Sequence, residues 1–483
     1  MPRVFSTACK RFSLVGMAIL SGFIAACDEG VPGSSGPDVP MPLAVTGTPA
    51  ATIDVAGAEL LDVTPNGSSA VVVGGTTLSL VQIGASSLTP NGTLELPEAN
   101  FPDNSTAAEF TGTAISPDGS FALVGVKDDD DANVDVFNEQ PGKVIAVSLP
   151  GLEVLAEVTV GIGPDSVAIA SDGTYAAVAN EDEEDETSLP GDRPGSVSII
   201  DLRNGPSNLS LLTTVAIPPD GIPFFAEDPQ PETVTIAPDS SFMLVTLQEN
   251  NAIARIDVNT FEPGGLSVTS FDAGQRSGEG FVQGGIGDDP CLTSNGYADS
   301  VLASFTSSRE PDGIAISPDG SVFVTADEDN VAVAESGGGS GDPFGARSIS
   351  VFDATSGALL GDSGNQIETA VVDLSLPQRC EDKGPEPEVV DVGTLDGRTV
   401  AFVSLERSDA VGIFDISDPS DITLLDTVIL TPDANDAAFV VGNDEEAQLE
   451  PEGIVFIPGS NQVVVSNPEN ETMTLVNLTV GDQ

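Results

Sequence analysis

The 483-residue chain carries 76 acidic and 15 basic residues, which give a formal net charge of −61, and it contains no histidine and no tryptophan. Such a charge repels nucleic acids and anionic lipids, and the absence of histidine excludes the Ser-His-Asp triad and every histidine-based zinc or iron site. A hydrophobic content of 40% is enough to fill a core and argues against a disordered acidic tail.

The N-terminus has the pattern of an export signal. Three basic residues precede an apolar stretch from Phe12 to Ala26, which is too short for an ordinary membrane span. The stretch ends in Ile-Ala-Ala-Cys at 24–27, which resembles the bacterial lipobox, where signal peptidase cuts before a cysteine that carries the lipid. We predict a lipoprotein signal peptide at 1–26 and an extracytoplasmic protein attached by Cys27 to the inner or outer membrane.

Residues 27–50 are predicted to form a flexible tether, because the run after Cys27 is rich in Gly, Pro and Ser and has almost nothing to bury. Cleavage removes three basic and no acidic residues, so the mature chain has a net charge of about −64. This excess fits either a surface screened by environmental salt or a protein that binds cations. Composition alone does not separate the two.

From residue 51 onwards the chain contains a repeat of variable length. A proline and a carboxylate open a strand of alternating residues, a PDG-like turn follows, and a second aliphatic strand ends in Glu or Asp. The copy from Pro311, PDGIAISPDGSVFVTADEDN, shows each of these features. Two copies open with Ala58 and Phe110 instead of proline. The seven units begin at residues 58, 110, 164, 231, 311, 387 and 451.

Seven such units predict an all-β protein, a seven-bladed β-propeller over residues 51–483. A four-stranded blade needs about 40 residues or more. The unit from Pro164 offers four candidate strands, whereas the last unit has room for three. The segment ATIDVA at 51–56 stands ahead of the first unit, and we predict that this N-terminal strand closes the last blade and so removes the exposed sheet edges. The four candidate strands lie near 165–170, 174–179, 195–202 and 208–216.

Carboxylates recur at two positions of the repeat. Those after the proline position are Glu59, Asp165, Glu232, Asp312, Glu388 and Glu452, with Thr111 in the remaining unit. Those near the end of the second strand are Glu181, Glu249, Glu328, Glu406 and Glu469. In a propeller the first strand starts and the second strand ends at one face, so both sets are expected to converge on one rim, where like charges raise one another's pKa values unless they are compensated.

Three interpretations of this rim remain open. The carboxylates accept hydrogen bonds from loop amides of their own blades, or they bind a cation, or they are catalytic. Calcium is the expected cation, because the ligands are oxygens and the compartment is extracellular. Arg407, beside Glu406, is one of very few bases available for compensation. The six carboxylates after the proline position form the predicted metal site.

Three further features come from the cysteines and from short segments. Cys291 and Cys380 are the cysteines of the mature body, and export places them where a pair usually bridges, so we predict a disulfide between them. The acidic runs at 128–131 and 181–186 do not have the spacing of an EF-hand and are predicted to be solvated loops. GDSG at 361–364 looks like a trypsin-type nucleophile motif, but without histidine it is predicted to be a turn.

Several segments resemble the choice-of-anchor I family, which includes proteins named mesenchyme-specific cell surface glycoprotein and belongs to the YVTN and WD40-like propellers. The segments are PETVTIAPD, TLQENNAIARIDV, PDGIAISPDG, GARSISVFDATSG, KGPEPEVVDVGTLDGRTVAFVSLERSDAVGIFDISDP and EPEGIVFIPGSNQVVVSN, and the similarity runs from about residue 107 to the end. Where the family usually has Ala-Asn-Glu-Gly, this chain has ANEDE, ADEDN and SNPEN. The resemblance implies an extracellular, anchored propeller of unestablished activity.

Two functional classes follow. The favoured one is a non-enzymatic scaffold that binds a protein or matrix partner, with calcium as a structural ion. The alternative is a calcium-dependent hydrolase of phosphoesters or lactones, in which the metal activates water and no histidine is required. Arginine and lysine, which normally hold phosphate, are nearly absent from the repeats, and we assign no catalytic residue.

Overall fold

The computed structural model describes most of the chain from Leu43 onwards, including the last eight residues of the segment predicted to be a tether. Over the described residues the strands form seven four-stranded antiparallel sheets, the blades of a β-propeller, which confirms the predicted fold class. The predictions for Cys27, Cys291, Cys380 and most of both acidic runs lie outside this part. No helix within it is long and apolar enough to cross a membrane. The described residues are 43–96, 108–128, 140–182, 193–261, 265–282, 292–293, 296–297, 301–328, 347–374, 376, 384–430 and 449–481.

The blades follow one another in the chain, and each runs outwards from the central channel. The strands are numbered in chain order, beginning with β1 (Ala44–Asp54). Blade 1 contains β2 (Leu60–Val63), β3 (Ser69–Gly74), β4 (Thr77–Gly84) and β5 (Ser87–Glu95). Blade 2 contains β6 (Ala108–Ile115), β7 (Phe121–Asp128), β8 (Pro141–Ser148) and β9 (Val154–Ile162). Blade 3 contains β10 (Pro164–Ile169), β11 (Tyr175–Asn180), β12 (Ser196–Asp201) and β13 (Ser210–Ala216), close to the four strands predicted for this unit.

The remaining blades have the same order of strands. Blade 4 contains β14 (Val234–Ile236), β15 (Phe242–Leu247), β16 (Ala252–Val258) and β17 (Leu266–Asp272). Blade 5 contains β22 (Pro311–Ile316), β23 (Val322–Asp327), β24 (Ser348–Asp353) and β25 (Leu359–Asp362). Blade 6 contains β26 (Pro387–Leu395), β27 (Arg398–Leu405), β28 (Ala410–Asp415) and β29 (Thr423–Ile429). Blade 7 contains β30 (Gly453–Phe456), β31 (Gln462–Asn467), β32 (Thr472–Gly481) and, from the N-terminus, β1.

The insertion between blades 4 and 5 forms extra strands of its own. Strands β18 (Gln275–Val282) and β21 (Val301–Ser308) make an antiparallel pair, and β19 (Leu292–Thr293) pairs with β20 (Gly296–Tyr297). Helix α1 (Gln366–Leu374) follows blade 5, and short 3₁₀ turns lie at Pro206–Asn208 and Glu406–Ser408. The GDSG segment ends β25 in a turn, where the Asp362 carboxylate accepts the Gly364 N–H at 3.0 Å.

The core lies between the blades. Every interface between neighbouring blades in the described part holds a cluster of buried apolar side chains. The second strands pack against a neighbouring blade on both faces, and β15, for example, is buried along its whole length. This is why their sequences read as continuous aliphatic runs and not as an alternation. Phe402 and Phe456 stack with ring centroids 5.0 Å apart across the interface of blades 6 and 7.

Strand β1 closes the ring, as the sequence predicts. It is longer than the predicted segment at 51–56, and it pairs antiparallel with β32 from Ala44–Gly481 to Asp54–Thr472. The inner strand of blade 7, β30, contacts β2 of blade 1, so the ends of the propeller meet at the channel as well. Side chains secure the same strand, since the Gly47 N–H donates to the Asp426 carboxylate of blade 6 at 2.8 Å. Closure therefore joins residues from the two ends of the described fold.

Candidate metal centre at the channel rim

The carboxylate after the proline is placed by a β-bulge in the inner strand. In blade 5, Pro311 pairs with Asp327 and regular pairing resumes at Ile314, so Asp312 and Gly313 lie in the bulge. Blades 2, 3 and 6 shift register at the same position. Proline has no N–H for the ladder, and a bulge turns the next side chain away from the regular pleat. The repeat motif thus directs a carboxylate to the channel rim.

A small residue in the bulge brings neighbouring blades together. A Cβ atom added at Gly313 would lie 2.5 Å from the backbone oxygen of Glu388 in blade 6. At the equivalent Gly112 it would lie 2.7 Å from the backbone oxygen of Asp165 in blade 3. Glycine therefore permits the close approach that sets the carboxylates of adjacent blades side by side.

A third set of carboxylates precedes the proline and was not predicted from the sequence. Glu310, Glu386 and Glu450 have φ values of 47°, 48° and 49° and are 1%, 1% and 7% exposed. The backbone of this position is held from the preceding blade, because Asn251 accepts the Glu310 N–H at 2.9 Å and Asp409 accepts the Glu450 N–H at 3.2 Å. The tripeptide Glu-Pro-acidic, which occurs at each of these three positions, is the signal that could have revealed them.

Two groups of carboxylates have the spacing of a metal site. Asp312, Glu328 and Glu388 form one group, and Glu386, Glu388 and Glu406 form the other. In each group one carboxylate oxygen from each residue lies within 4.8 Å of those from the other two, and Glu388 belongs to both groups. Oxygen Oε2 of Glu388 is buried and has no hydrogen-bond partner in the described part of the chain. These buried acidic clusters could hold a metal ion.

The electrostatics of both clusters favour either protons or a bound cation. Burial, reinforced by neighbouring Glu328, raises the pKa of Asp312 well above its usual value. Burial, reinforced by Asp312 and Glu406, does the same to the pKa of Glu388. The pKa of Glu406 rises to about 8, because burial and the nearby Glu386 outweigh the effect of Arg407. A divalent cation would reverse the penalty for ionising these groups.

Two of the bases at this end of the blades contact carboxylates of the rim. Lys127 lies 3.6 Å from Glu109 and also lowers the pKa values of Glu59 and Asp165, although burial leaves both raised. At the other end, the guanidinium of Arg407 contacts three carboxylates. They belong to Glu386, Glu406 at 2.9 Å and Glu450 at 2.5 Å.

Between these two bases lie Glu232, Asp312 and Glu388. After burial, the largest influences on the pKa of Glu232 are the charges of Asp312 and Glu249, and both raise it. Oxygen Oε2 of Glu232 is also buried without a hydrogen-bond partner among the described residues. In this arc of the rim, from blade 4 to blade 6, neighbouring carboxylates are the chief influence on the carboxyl pKa values after burial.

The six predicted metal ligands have different surroundings. Asp312 and Glu388 lie in the clusters, Glu232 lies next to them, and Glu59 and Asp165 lie near Lys127. Burial, then Glu406 and Glu59, raises the pKa of Glu452. Glu328 and Glu406, from the second-strand set, join the clusters, whereas Glu469 at the equivalent end of β31 is exposed. The assignment of all six as metal ligands stays a prediction.

On the opposite face of the propeller, two turn carboxyls have lowered and not raised pKa values. The turns between first and second strands lie there, and Asp118 and Asp319 are exposed acceptors within those turns. Hydrogen bonds from Ser120 and Ser321 lower the pKa values of these two carboxyls. These two exposed carboxyls therefore stay ionised at neutral pH, in contrast to the buried carboxyls of the rim.

Comparison with known proteins decides the family. The sequence profile of the Choice-of-anchor I domain matches residues 59–265 and 341–419, more than half of the chain. The chain belongs to the choice-of-anchor I family. The match begins nearer the N-terminus than the similarity predicted from about residue 107, and its second part ends at 419 and not at the C-terminus.

Two solved structures similar to this choice-of-anchor I protein give no information about its function. One is a functionally unknown protein from Desulfotomaculum acetoxidans DSM 771, with 14% identity, a TM-score of 0.45, and coverage of 77% of this chain and 84% of that one. Another belongs to a mitotic checkpoint complex, with 11% identity, a TM-score of 0.50, and coverage of 95% and 99%. None of the curated proteins compared with the chain matches it.

Proposed function

We propose that this choice-of-anchor I propeller is a lipid-anchored, extracytoplasmic binding module whose rim holds a structural calcium ion. The observation that carries the calcium site is the cluster of Asp312, Glu328 and Glu388, in which buried Glu388 Oε2 has no hydrogen-bond partner among the described residues. Asp312 and Glu328 are 5% and 2% exposed, so water contributes little to their solvation. A cation would supply the missing charge.

The ligand chemistry favours calcium. All the candidate ligands are carboxylate oxygens, which suit calcium and magnesium better than zinc or copper. The ligands come from three strands in two blades, and calcium tolerates the irregular geometry of such a site better than magnesium does. Gln248 donates to Glu328 Oε2 at 2.7 Å and would orient that carboxylate beside the ion. With the ion joining blades 5 and 6, the propeller face would be a rigid surface for a protein or matrix partner.

Calcium is expected to stabilise the protein more than magnesium at equal ionic strength. Binding to the native state should raise the unfolding free energy by about 3 kcal/mol when free calcium exceeds the dissociation constant a hundredfold. Calorimetry of the wild type and of Asp312→Asn/Glu388→Gln measures this, and the double variant should lose the difference between the two ions. Glu469→Gln, which changes an exposed carboxylate at a comparable strand end, is the control. Equal stabilisation of the wild type by both ions would reduce the effect to screening.

Attachment by Cys27 predicts a change of cell fraction. Cys27→Ser removes the thiol that would receive the lipid, so the variant should leave the membrane fraction and appear as soluble or unprocessed protein. Fractionation with detection by antibody, together with the intact mass of the mature chain, measures both results. A variant that still partitions with membranes after a high-salt wash would refute lipid anchoring at this residue.

A further inference from the structure

The second carboxylate cluster of the rim already contains a cation, the guanidinium of Arg407. Nitrogen Nε of Arg407 contacts Glu386, and Nη2 contacts Glu406 at 2.9 Å. Nitrogen Nη1 reaches Glu450 of the next repeat at 2.5 Å. The Arg407 side chain is 12% exposed, so this is a buried charge in a fixed position and not a surface ion pair. Arginine here occupies a place between blades 6 and 7 where three carboxylates meet.

The two clusters have the same kind of ligands, and the structure shows different side chains in contact with them. Each combines the carboxylate after the proline with a carboxylate at the end of a second strand, and Glu388 takes part in both. In the cluster of blades 5 and 6, Glu328 accepts a hydrogen bond from the neutral amide of Gln248. In the cluster with Glu386 and Glu406 the partner is the positive charge of Arg407.

We infer that Arg407 is a built-in counter-ion that occupies a second, latent calcium site formed by Glu386, Glu388 and Glu406. Glu386 and Glu406 are 1% and 4% exposed, and two carboxylates buried side by side need a positive charge next to them. A guanidinium and a calcium ion satisfy the same requirement, one through directed N–H donors and the other through oxygen coordination. The inference takes the calcium site of the wild type from the proposed function. The existence of the second site does not depend on that proposal.

Removal of the guanidinium should therefore open a second binding site. Arg407→Met keeps most of the aliphatic stem and removes the charge, so the carboxylates are left for an added ion. We expect this variant, refolded and purified in calcium, to bind about one calcium ion per chain more than the wild type. Isothermal titration with calcium and elemental analysis after gel filtration both measure this number. Its melting temperature should also depend on calcium more steeply than that of the wild type.

Two further variants test where the extra ion lies. Arg407→Lys keeps a positive charge at the cluster and should bind no extra calcium. Arg407→Met/Glu386→Gln lacks one ligand of the second cluster but none of the first, so its calcium number should return to that of the wild type. An extra ion that persists in this double variant would place it elsewhere and overturn the inference.

The results separate this inference from the proposed function. A wild type that binds no calcium refutes the calcium site of the proposed function, whereas the inference depends on the difference between Arg407→Met and wild type. Equal calcium numbers for the two proteins overturn the inference even when the wild type binds an ion. An Arg407→Met variant that does not fold in saturating calcium also overturns it, because calcium would then be unable to replace the guanidinium.

Discussion

Deletion of residues 43–54 is expected to abolish the closed, monomeric propeller. The deleted strand β1 pairs with β32 along nearly its whole length. Its ladder of about ten hydrogen bonds contributes on the order of 5–10 kcal/mol, which is comparable with the whole stability of many domains. The loss also exposes β32 as an edge strand, and exposed edges promote pairing between chains. We expect a low, broad thermal transition by circular dichroism and oligomers by light scattering.

A deletion of residues 28–42 is the matched control, because it removes chain ahead of β1 and leaves the strand intact. A synthetic peptide of residues 43–54, added to the truncated protein, should pair with β32 and restore part of the thermal stability. If the truncated protein melts like the control and stays monomeric, closure by the N-terminal strand does not stabilise the ring. The peptide then should have no effect either.

Without divalent cations the protein is expected to lose stability as the pH rises from about 5 to about 8. Burial raises the pKa values of three carboxyls outside the metal clusters, those of Glu59 and Asp62 to about 7 and that of Asp327 to about 6. The folded chain then binds more protons than the unfolded chain between the unfolded and folded pKa values. Stability is therefore lost as the pH rises through that window. Each unit by which burial raises a pKa corresponds to about 1.4 kcal/mol of unfolding free energy. The three groups together should therefore change the unfolding free energy by several kcal/mol.

The measurement is the unfolding free energy in chelator as a function of pH, from urea titration at constant ionic strength. Asp62→Asn removes one of the titrating groups and should flatten the slope above about pH 5. Asp319→Asn is the control, because the pKa of Asp319 is lowered by its turn and its titration ends below this window. Constant or increasing stability between these pH values would show that the buried carboxyls ionise without penalty.

Much of the fold was predictable because its signals are local. A proline, a PDG-like turn and a period of two along a strand act over a few residues, and these features locate the inner strands of all seven blades. Blade 3 shows this closely, since its strands lie within a few residues of the predicted ones. The N-terminal strand was predictable because the last unit has room for only three strands and needs a fourth. Its start at Ala44 was not predictable, because the pairing of Ala44 with Gly481 has no local signal.

The site was less predictable. The carboxylates after the proline were visible as a repeated position, and the topology of a propeller predicts that they share a rim. Glu310, Glu386 and Glu450 were missed, since a residue before proline has no obvious reason to be buried until its backbone is held by the preceding blade. Exposure of Glu469 could not be foreseen either, because its place in the repeat is the same as that of the buried Glu328 and Glu406.

The sequence by itself determined the export signal pattern, the number of repeats, the fold class and the rim position of the carboxylates, because each depends on residues that are close in the chain. Only the tertiary structure decided which carboxylates meet. Asp312 and Glu388 are far apart in sequence and become neighbours because a bulge and Gly313 let β22 and β26 approach at the channel. The contacts of Arg407 with Glu386 and Glu450 likewise have no local signal, because they join residues of separate strands that only the folded ring brings together.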